Sequence, residues 1–147
     1  MSIMETTVSQ FGAAFGGAAG PIRSVASRTA DLVPTAARVA EMLNPNLDLR
    51  DRVGRLTIRL TYGIPAIAVE LAREAGSQLL RGDYCALADS ALCNATAIEA
   101  ATDTALLACL GNSRDKLGVV CDAARAVKLR RQTQSTVPTP VLEPYVA

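Results

Sequence analysis

Residues 83–110 read DYCALADSALCNATAIEAATDTALLACL, a run of 28 residues that contains no Lys, Arg, Gly or Pro. Alanine is its commonest residue, and most of the others have good or neutral helix propensity. Asp83 follows Gly82 in the position of an N-cap, and Gly111 follows the run in the position of a stop. The run therefore predicts one helix of about 42 Å. Because small residues let neighbouring backbones approach closely, we expect it to be the spine of a helical bundle.

Composition supports an all-α class for the whole chain. The 147 residues are enough for one domain with a real core. Half of them are apolar but only 3% are aromatic, so Ala, Leu and Val must fill the core, which suits helices better than a β-sandwich. The net charge of +1 provides no general attraction to nucleic acid or to an anionic membrane.

Prolines, glycines and N-caps divide the rest of the chain into further helices. Pro34 is expected to break the segment 22–43, because proline removes a backbone donor and restricts the residue before it. Asp48 can cap the next helix, and Pro65 fits the first position of the one after. We therefore expect a bundle of five or six helices, over residues 22–32, 35–43, 48–61, 65–80, 83–110 and 113–132.

The domain organisation predicted from these boundaries is an N-terminal arm (1–21), a helical bundle (22–132) and an extended C-terminal tail (133–147). The uncharged segment 6–22 is rich in Gly and Ala and carries Phe11 and Phe15. It is either an arm that orders against a neighbour or a segment that contacts a membrane, although it lacks the usual basic face.

The C-terminal tail contains three prolines, which exclude a helix over residues 133–147. It is less polar than a purely disordered segment would be. Its apolar side chains are expected to dock on another copy of the chain; those assigned to this contact are Val141, Leu142 and Tyr145.

The four cysteines contain no CxxC pair, which argues against a four-thiolate zinc site. On a single long helix, Cys85, Cys93 and Cys109 would lie too far apart to bond with one another. We expect free thiols that serve as small apolar residues in a reducing compartment. A Cys109–Cys121 disulfide across the Gly111 turn is the alternative.

Catalytic chemistry has no recognisable signature in the chain. There is no histidine, so the usual general base and the commonest metal ligand are missing. No phosphate-binding loop, zinc-protease or nucleophile-elbow motif occurs. We therefore expect a protein that is not an enzyme and has no cofactor. Glu99 and Asp103, four residues apart, either bind a structural Ca²⁺ with a partner's oxygens or form a solvated face.

Two basic clusters are candidate contact sites for phosphates or for acidic residues of another subunit. The first has three arginines on one predicted helix face, and the second lies at the C-terminal end of the last predicted helix. No aromatic residue lies among them to stack on bases, which favours pairing with the acidic 83–110 run over nucleic-acid binding. The residues are Arg52, Arg55 and Arg59, followed by Arg125, Lys128, Arg130 and Arg131.

Three segments resemble the nucleocapsid shell protein of the cystoviruses, the enveloped double-stranded RNA bacteriophages. They are AEML at 40–43, CDAARAV followed by LRRQ within 121–132, and GPIRSVASR at 20–28. Together they cover about a fifth of the chain, and that family has similarly short, Ala-rich, all-helical chains. This chain departs from the family in its four cysteines and its proline-rich C-terminus, so no contact residue is carried over.

The resemblance implies a viral capsid or coat subunit that trimerises with exchanged elements. The trimers of that family form a shell between an inner capsid and the lipid envelope, act in membrane penetration and use Ca²⁺. Since the start MSIMETT lacks a basic secretory region, we expect synthesis and assembly in the host cytoplasm and residence in the virion. The expected function is self-assembly into a shell. The alternative is a small helical adaptor or nucleic-acid-binding protein that uses the arginine clusters.

Overall fold

The computed structural model describes residues 19–135, and within that range the chain is all-α, as predicted. Seven α-helices and two short 3₁₀ turns, at Ala66–Ala68 and Gly76–Gln78, make up this part of the chain. The helices are α1 (Ala19–Leu43), α2 (Arg50–Tyr62), α3 (Val69–Ala75), α4 (Arg81–Asp89), α5 (Ala95–Ala100), α6 (Asp103–Cys109) and α7 (Arg114–Ser135).

The predicted spine is not one helix but three, α4, α5 and α6. Ala91 takes a left-handed conformation with φ 57°, which ends the first piece. The Asn94 side chain then accepts a hydrogen bond from Ala97 N at 2.7 Å, and Thr102 accepts one from Ala105 N at 3.3 Å. Short polar side chains offer the backbone an alternative to helix continuation, so each restarts a helix as its N-cap. The single-helix prediction is therefore wrong.

The start of α4 also differs from the prediction, because Leu80 rather than Asp83 is its N-cap. Asp83 lies one turn into the helix, where its Oδ2 accepts a hydrogen bond from Leu80 N at 2.8 Å. Its Oδ1 accepts another from Lys116 Nζ, also at 2.8 Å. This buried carboxylate thus joins the beginnings of α4 and α7.

Helix α1 continues through Pro34, so the predicted break there is wrong. The proline ring is exposed to solvent and lies away from α2. Its missing N–H removes one backbone hydrogen bond of the helix. Ala30 is buried and Val33 is half-buried. Because this side of α1 packs against α2, we attribute the continuity of the helix to that packing.

Residues 65–80 also differ from prediction, since two 3₁₀ turns flank the short helix α3. Gly76 ends α3 with φ 56°, and its carbonyl accepts a hydrogen bond from the Tyr84 hydroxyl at 2.7 Å. The apolar residues Leu71, Ala75 and Leu79, spaced four apart, are buried. Ile67 precedes α3 in a 3₁₀ turn and is 52% exposed, because the changed helical period rotates it outward.

Both ends of the bundle extend beyond their predicted limits. Helix α1 begins at Ala19, inside the predicted arm, and α7 continues to Ser135. The first three residues of the tail, 133–135, are therefore helical, which corrects the prediction that none of the tail is. The remaining residues of the arm and tail lie outside the described range.

The hydrophobic core is built from α3 to α7, the segments between them, and Ile64 and Ala68 just before α3. Its largest fully buried side chains are those of Leu71, Tyr84, Leu87, Leu106, Leu110 and Val120. Helices α1 and α2 supply no fully buried member of this cluster, although Ile58 and Tyr62 of α2 pack against it. The α1–α2 pair is therefore attached to the side of the core.

All four cysteines are free thiols, and Cys93 is the buried one. The alternative Cys109–Cys121 disulfide is thus absent. Burial, followed by the nearby charges of Cys85, Asp89 and Cys109, raises the pKa of the Cys93 thiol from 9.0 to about 11. The broken spine explains this proximity, because the three thiols are no longer spread along one straight helix.

Cys93 is expected to resist alkylation in the folded protein. At about pH 8 the higher pKa lowers its thiolate fraction about 100-fold, since only the thiolate is nucleophilic. Iodoacetamide labelling read by peptide mass spectrometry should therefore be at least about 100-fold slower for Cys93 in the folded protein than in urea. The half-buried Cys121 serves as the internal control. Equal labelling rates for the two in the folded protein would contradict the assignment.

Candidate assembly surface

Helices α1 and α2 form a helical hairpin in which α1 is the longer helix. They are joined by the turn 44–49, in which Leu49 N donates to Glu41 Oε1 at 2.9 Å, and they pack along each other. Helix α1 has 25 residues and α2 has 13, so α1 extends past the end of α2 by about 18 Å. In that extension Val25 and Arg28 are exposed. The same extension also contains Ala26, which is half-buried, and Ala30, which is buried, so its exposure is confined to one side.

The buried side of α1 is made mostly of small residues. Its members recur at helical spacing and are buried or half-buried, and the last three of them lie in the part of α1 alongside α2, where small side chains let the two backbones approach closely. We call this set the inner stripe: Ala26, Ala30, Val33, Ala37 and Ala40.

The larger apolar side chains of α1 lie on the neighbouring face, which no described residue covers. Val25 is 65% exposed, Leu32 67%, Val39 51% and Leu43 76%. We call these four residues the outer stripe. Six of the nine large apolar residues exposed within residues 19–135 belong to α1 or the turn after it. A row of large apolar side chains on one helix face is typical of an interaction site, whereas single exposed leucines are not.

The hairpin turn contains a shallow groove of about 410 Å³. Arg38 and Arg50 line it together with Glu41 and Asp48, so its charges balance. Met42, 73% exposed, forms part of its apolar wall and extends the outer stripe toward the turn. A balanced, open groove gives no basis for an ionic ligand.

Ion pairs attach the hairpin to the core. Arg55 of α2 pairs with Glu70 of α3, and Asp51 pairs with Arg73 at 3.2 Å. Arg130 of α7 reaches the same part of α3 and pairs with Glu70 at 3.8 Å, and also with Glu74. None of these four pairs involves a residue of α1, so they leave the outer stripe uncovered.

Most of the basic side chains in the two predicted clusters form ion pairs with acidic residues of the same chain. Besides Arg55 and Arg130, Lys128 pairs with Glu99 at 2.9 Å and Arg125 with Asp122 at 2.9 Å. The pairing of Lys128 is with the acidic 83–110 run. Arg52 is exposed, Arg59 is half-buried, and Arg131 is exposed on α7.

Glu99 and Asp103, proposed together for Ca²⁺, lie on different helices, α5 and α6. Both carboxylate oxygens of Glu99 accept hydrogen bonds from Lys128 Nζ, at 3.1 and 2.9 Å. Within residues 19–135 no group of three or more His, Cys, Asp or Glu side chains is arranged to hold a metal ion.

The remaining predicted contact residues lie outside the described range: Phe11, Phe15, Val141, Leu142 and Tyr145. Within residues 19–135 no helix combines the length and the apolar character needed to cross a membrane.

Sequence reasoning missed the outer stripe. Its signal is the interval of seven residues between Val25, Leu32 and Val39, which is close to two helical turns. The predicted break at Pro34 divided this series between two short helices and hid it.

Comparison with known proteins adds no assignment: no protein-family model, curated protein or solved structure matches the chain.

Proposed function

We propose that the protein is a structural, self-assembling subunit whose copies associate through the outer stripe of α1. The observation that carries this proposal is the distribution of side-chain size on α1. Its small residues lie on the buried side of the helix, while Val25, Leu32, Val39 and Leu43 are exposed. Packing against a second subunit would remove that apolar surface from water, which is the main favourable term in protein association.

Charge also supports self-association. The net charge of +1 causes little repulsion between identical subunits. Arg55, Arg125, Lys128 and Arg130 of the two predicted basic clusters form ion pairs within the chain. Nucleic-acid binding would require those side chains to leave their acidic partners for phosphates. The adaptor or nucleic-acid alternative is therefore the weaker candidate.

The form of assembly that we propose is a viral capsid or nucleocapsid shell. This part of the proposal rests on the resemblance of residues 20–28, 40–43 and 121–132 to the shell protein of the cystoviruses. An all-α subunit with an uncovered helix face is compatible with such a shell.

The first test is the mass distribution of the purified protein by analytical ultracentrifugation, with and without Ca²⁺. We expect the wild-type chain to form oligomers and the Leu32→Glu variant to sediment as a monomer, because the substitution places a charge within the contact. Leu32 is 67% exposed in the single chain, so its replacement should leave the melting temperature nearly unchanged. Electron microscopy of the wild-type oligomers would then distinguish closed shells from small assemblies.

Leu129→Glu is the matched control, since Leu129 is also a helical leucine and is 65% exposed. It should assemble as the wild-type chain does. A monomeric wild-type protein, or a Leu32→Glu variant that assembles normally, would refute the role proposed for the outer stripe.

A further inference from the structure

We propose that the hairpin of α1 and α2 is a salt-sensitive lobe that pivots at Gly63 and Ile64, where α2 ends. Ion pairs at the beginning of α2 hold the lobe against the core. When these pairs separate, the hairpin swings away from the core while α3 to α7 stay folded. This inference concerns the single chain and is independent of the proposed function.

The face of α2 that meets the core has a polar half and an apolar half. Its residues follow one another at intervals of four, three and four, which places them on one side of the helix: Asp51, Arg55, Ile58 and Tyr62. The first two form ion pairs with α3, whereas the last two pack against the hydrophobic core. None of the 13 residues of α2 is buried. Elements with so little apolar burial open at a lower free energy than the core of a protein unfolds.

The apolar end of this face is the fixed end. Ile64, just after α2, is 3% exposed and belongs to the core. The carbonyl of Gly63 accepts a hydrogen bond from Arg81 Nε at 2.7 Å, and the ring centroids of Tyr62 and Tyr84 are 6.2 Å apart. Gly63 has φ 63°, and glycine can change its backbone angles more easily than any other residue. We therefore place the pivot there.

The polar end is held by two ion pairs, which we call the latch: Arg55 with Glu70, and Asp51 with Arg73 at 3.2 Å. The latch begins about 18 Å from the pivot along α2. Glu70 also lies 3.8 Å from Arg130 of α7, so one carboxylate serves two arginines. The side chains of Arg55 and Glu70 are 39% and 23% exposed, so dissolved salt can screen their attraction.

Helix α1 is expected to move with α2 as one body. The two helices pack along each other, and Leu49 N donates to Glu41 Oε1 across the turn that joins them. Opening of the latch therefore changes the position of the outer stripe relative to the core.

Single-molecule fluorescence energy transfer tests the pivot in the full chain. Dyes are attached to non-canonical residues that replace Asn46, in the hairpin turn, and Arg114, at the start of α7; both positions are exposed. At picomolar concentration the chain is monomeric. Raising NaCl from about 0.05 M to about 0.5 M should increase the population of an open state, with a different transfer efficiency, about threefold, because salt screens the latch.

Substitutions identify the charges that hold the hairpin. At low salt Glu70→Gln should raise the open population about tenfold, because Arg55 and Arg130 then face each other without their shared carboxylate. Arg55→Met should raise it about threefold, as expected for a partly exposed pair, and leaves the pairs of Arg130 intact. Glu99→Gln is the matched control: it removes the same charge from a pair with Lys128 between α5 and α7, and should match the wild type. Circular dichroism confirms that each variant is folded.

The response to salt should also be smaller in Glu70→Gln than in the wild type, because that variant has lost the main charge of the latch. An equal response in the two proteins, or an open population that Glu70→Gln does not raise, would overturn the inference. So would a Glu99→Gln variant that opens as far as Glu70→Gln, since net charge rather than the latch would then be the cause. All of these outcomes are measured on monomers, so they leave the proposed assembly to its own test by sedimentation.

Discussion

Leu106→Ala is expected to lower the free energy of unfolding by about 3 kcal/mol. Leu106 is 1% exposed and belongs to the core that α3 to α7 build. The substitution removes apolar contacts and leaves a cavity, and neighbouring helices can close only part of it. Chemical denaturation followed by circular dichroism measures the loss, with the slope of the transition as a check that unfolding stays two-state.

Leu129→Ala is the control for this experiment, because Leu129 is 65% exposed on α7. Its effect should stay within about 0.5 kcal/mol, as is usual for surface positions. Equal losses at the two positions would mean that Leu106 does not lie in a packed core. Neither substitution touches the outer stripe, so the oligomeric state should not change as long as the protein is folded.

The second large effect is expected for Asp83→Ala, at about 2 kcal/mol of unfolding free energy. Asp83 is 8% exposed and accepts hydrogen bonds from Leu80 N and from Lys116 Nζ, both at 2.8 Å. Alanine removes the partner of an amide at the start of α4 and leaves the lysine without its carboxylate. The loss is limited because the Lys116 side chain is 28% exposed and can turn toward water.

A double-mutant cycle with Lys116→Met isolates the ion pair from the helix-start contact. If the two side chains interact as the structure indicates, Asp83→Ala should cost less in the Lys116→Met background than in the wild type. Asp89→Ala, at an exposed position of the same helix, should be nearly neutral. Strict additivity of the two substitutions would rule out a coupling between α4 and α7 through this pair.

The fold class followed from sequence because it depends on average properties. An Ala-rich chain with few aromatic residues can form a core only from closely packed helices, and the structure of residues 19–135 confirms this. The ends of α2 lie within two residues of the predicted 48–61. Leu49 rather than Asp48 is its N-cap, although Asp48 Oδ1 accepts a hydrogen bond from Arg50 N at 3.1 Å, and Gly63 closes the helix with φ 63°.

Helix continuity could not be predicted, because it depends on competition between local signals and packing. Propensity favoured one helix over residues 83–110, yet the N-caps Asn94 and Thr102 divide it where turns let α5 and α6 fold onto α7. Pro34 predicted a break, yet α1 is continuous there. The sequence shows both the local signals that end a helix and the apolar residues available for packing, but it does not show which of the two prevails at a given position.

The candidate site shows the same division between sequence and tertiary structure. By itself, the sequence determined an all-α, Ala-rich chain of nearly neutral charge and the seven-residue spacing of Val25, Leu32 and Val39. Only the tertiary structure decided which apolar face of α1 is covered. The small inner stripe is the buried side of the helix, because close backbone approach requires small side chains, and the larger outer stripe is left exposed.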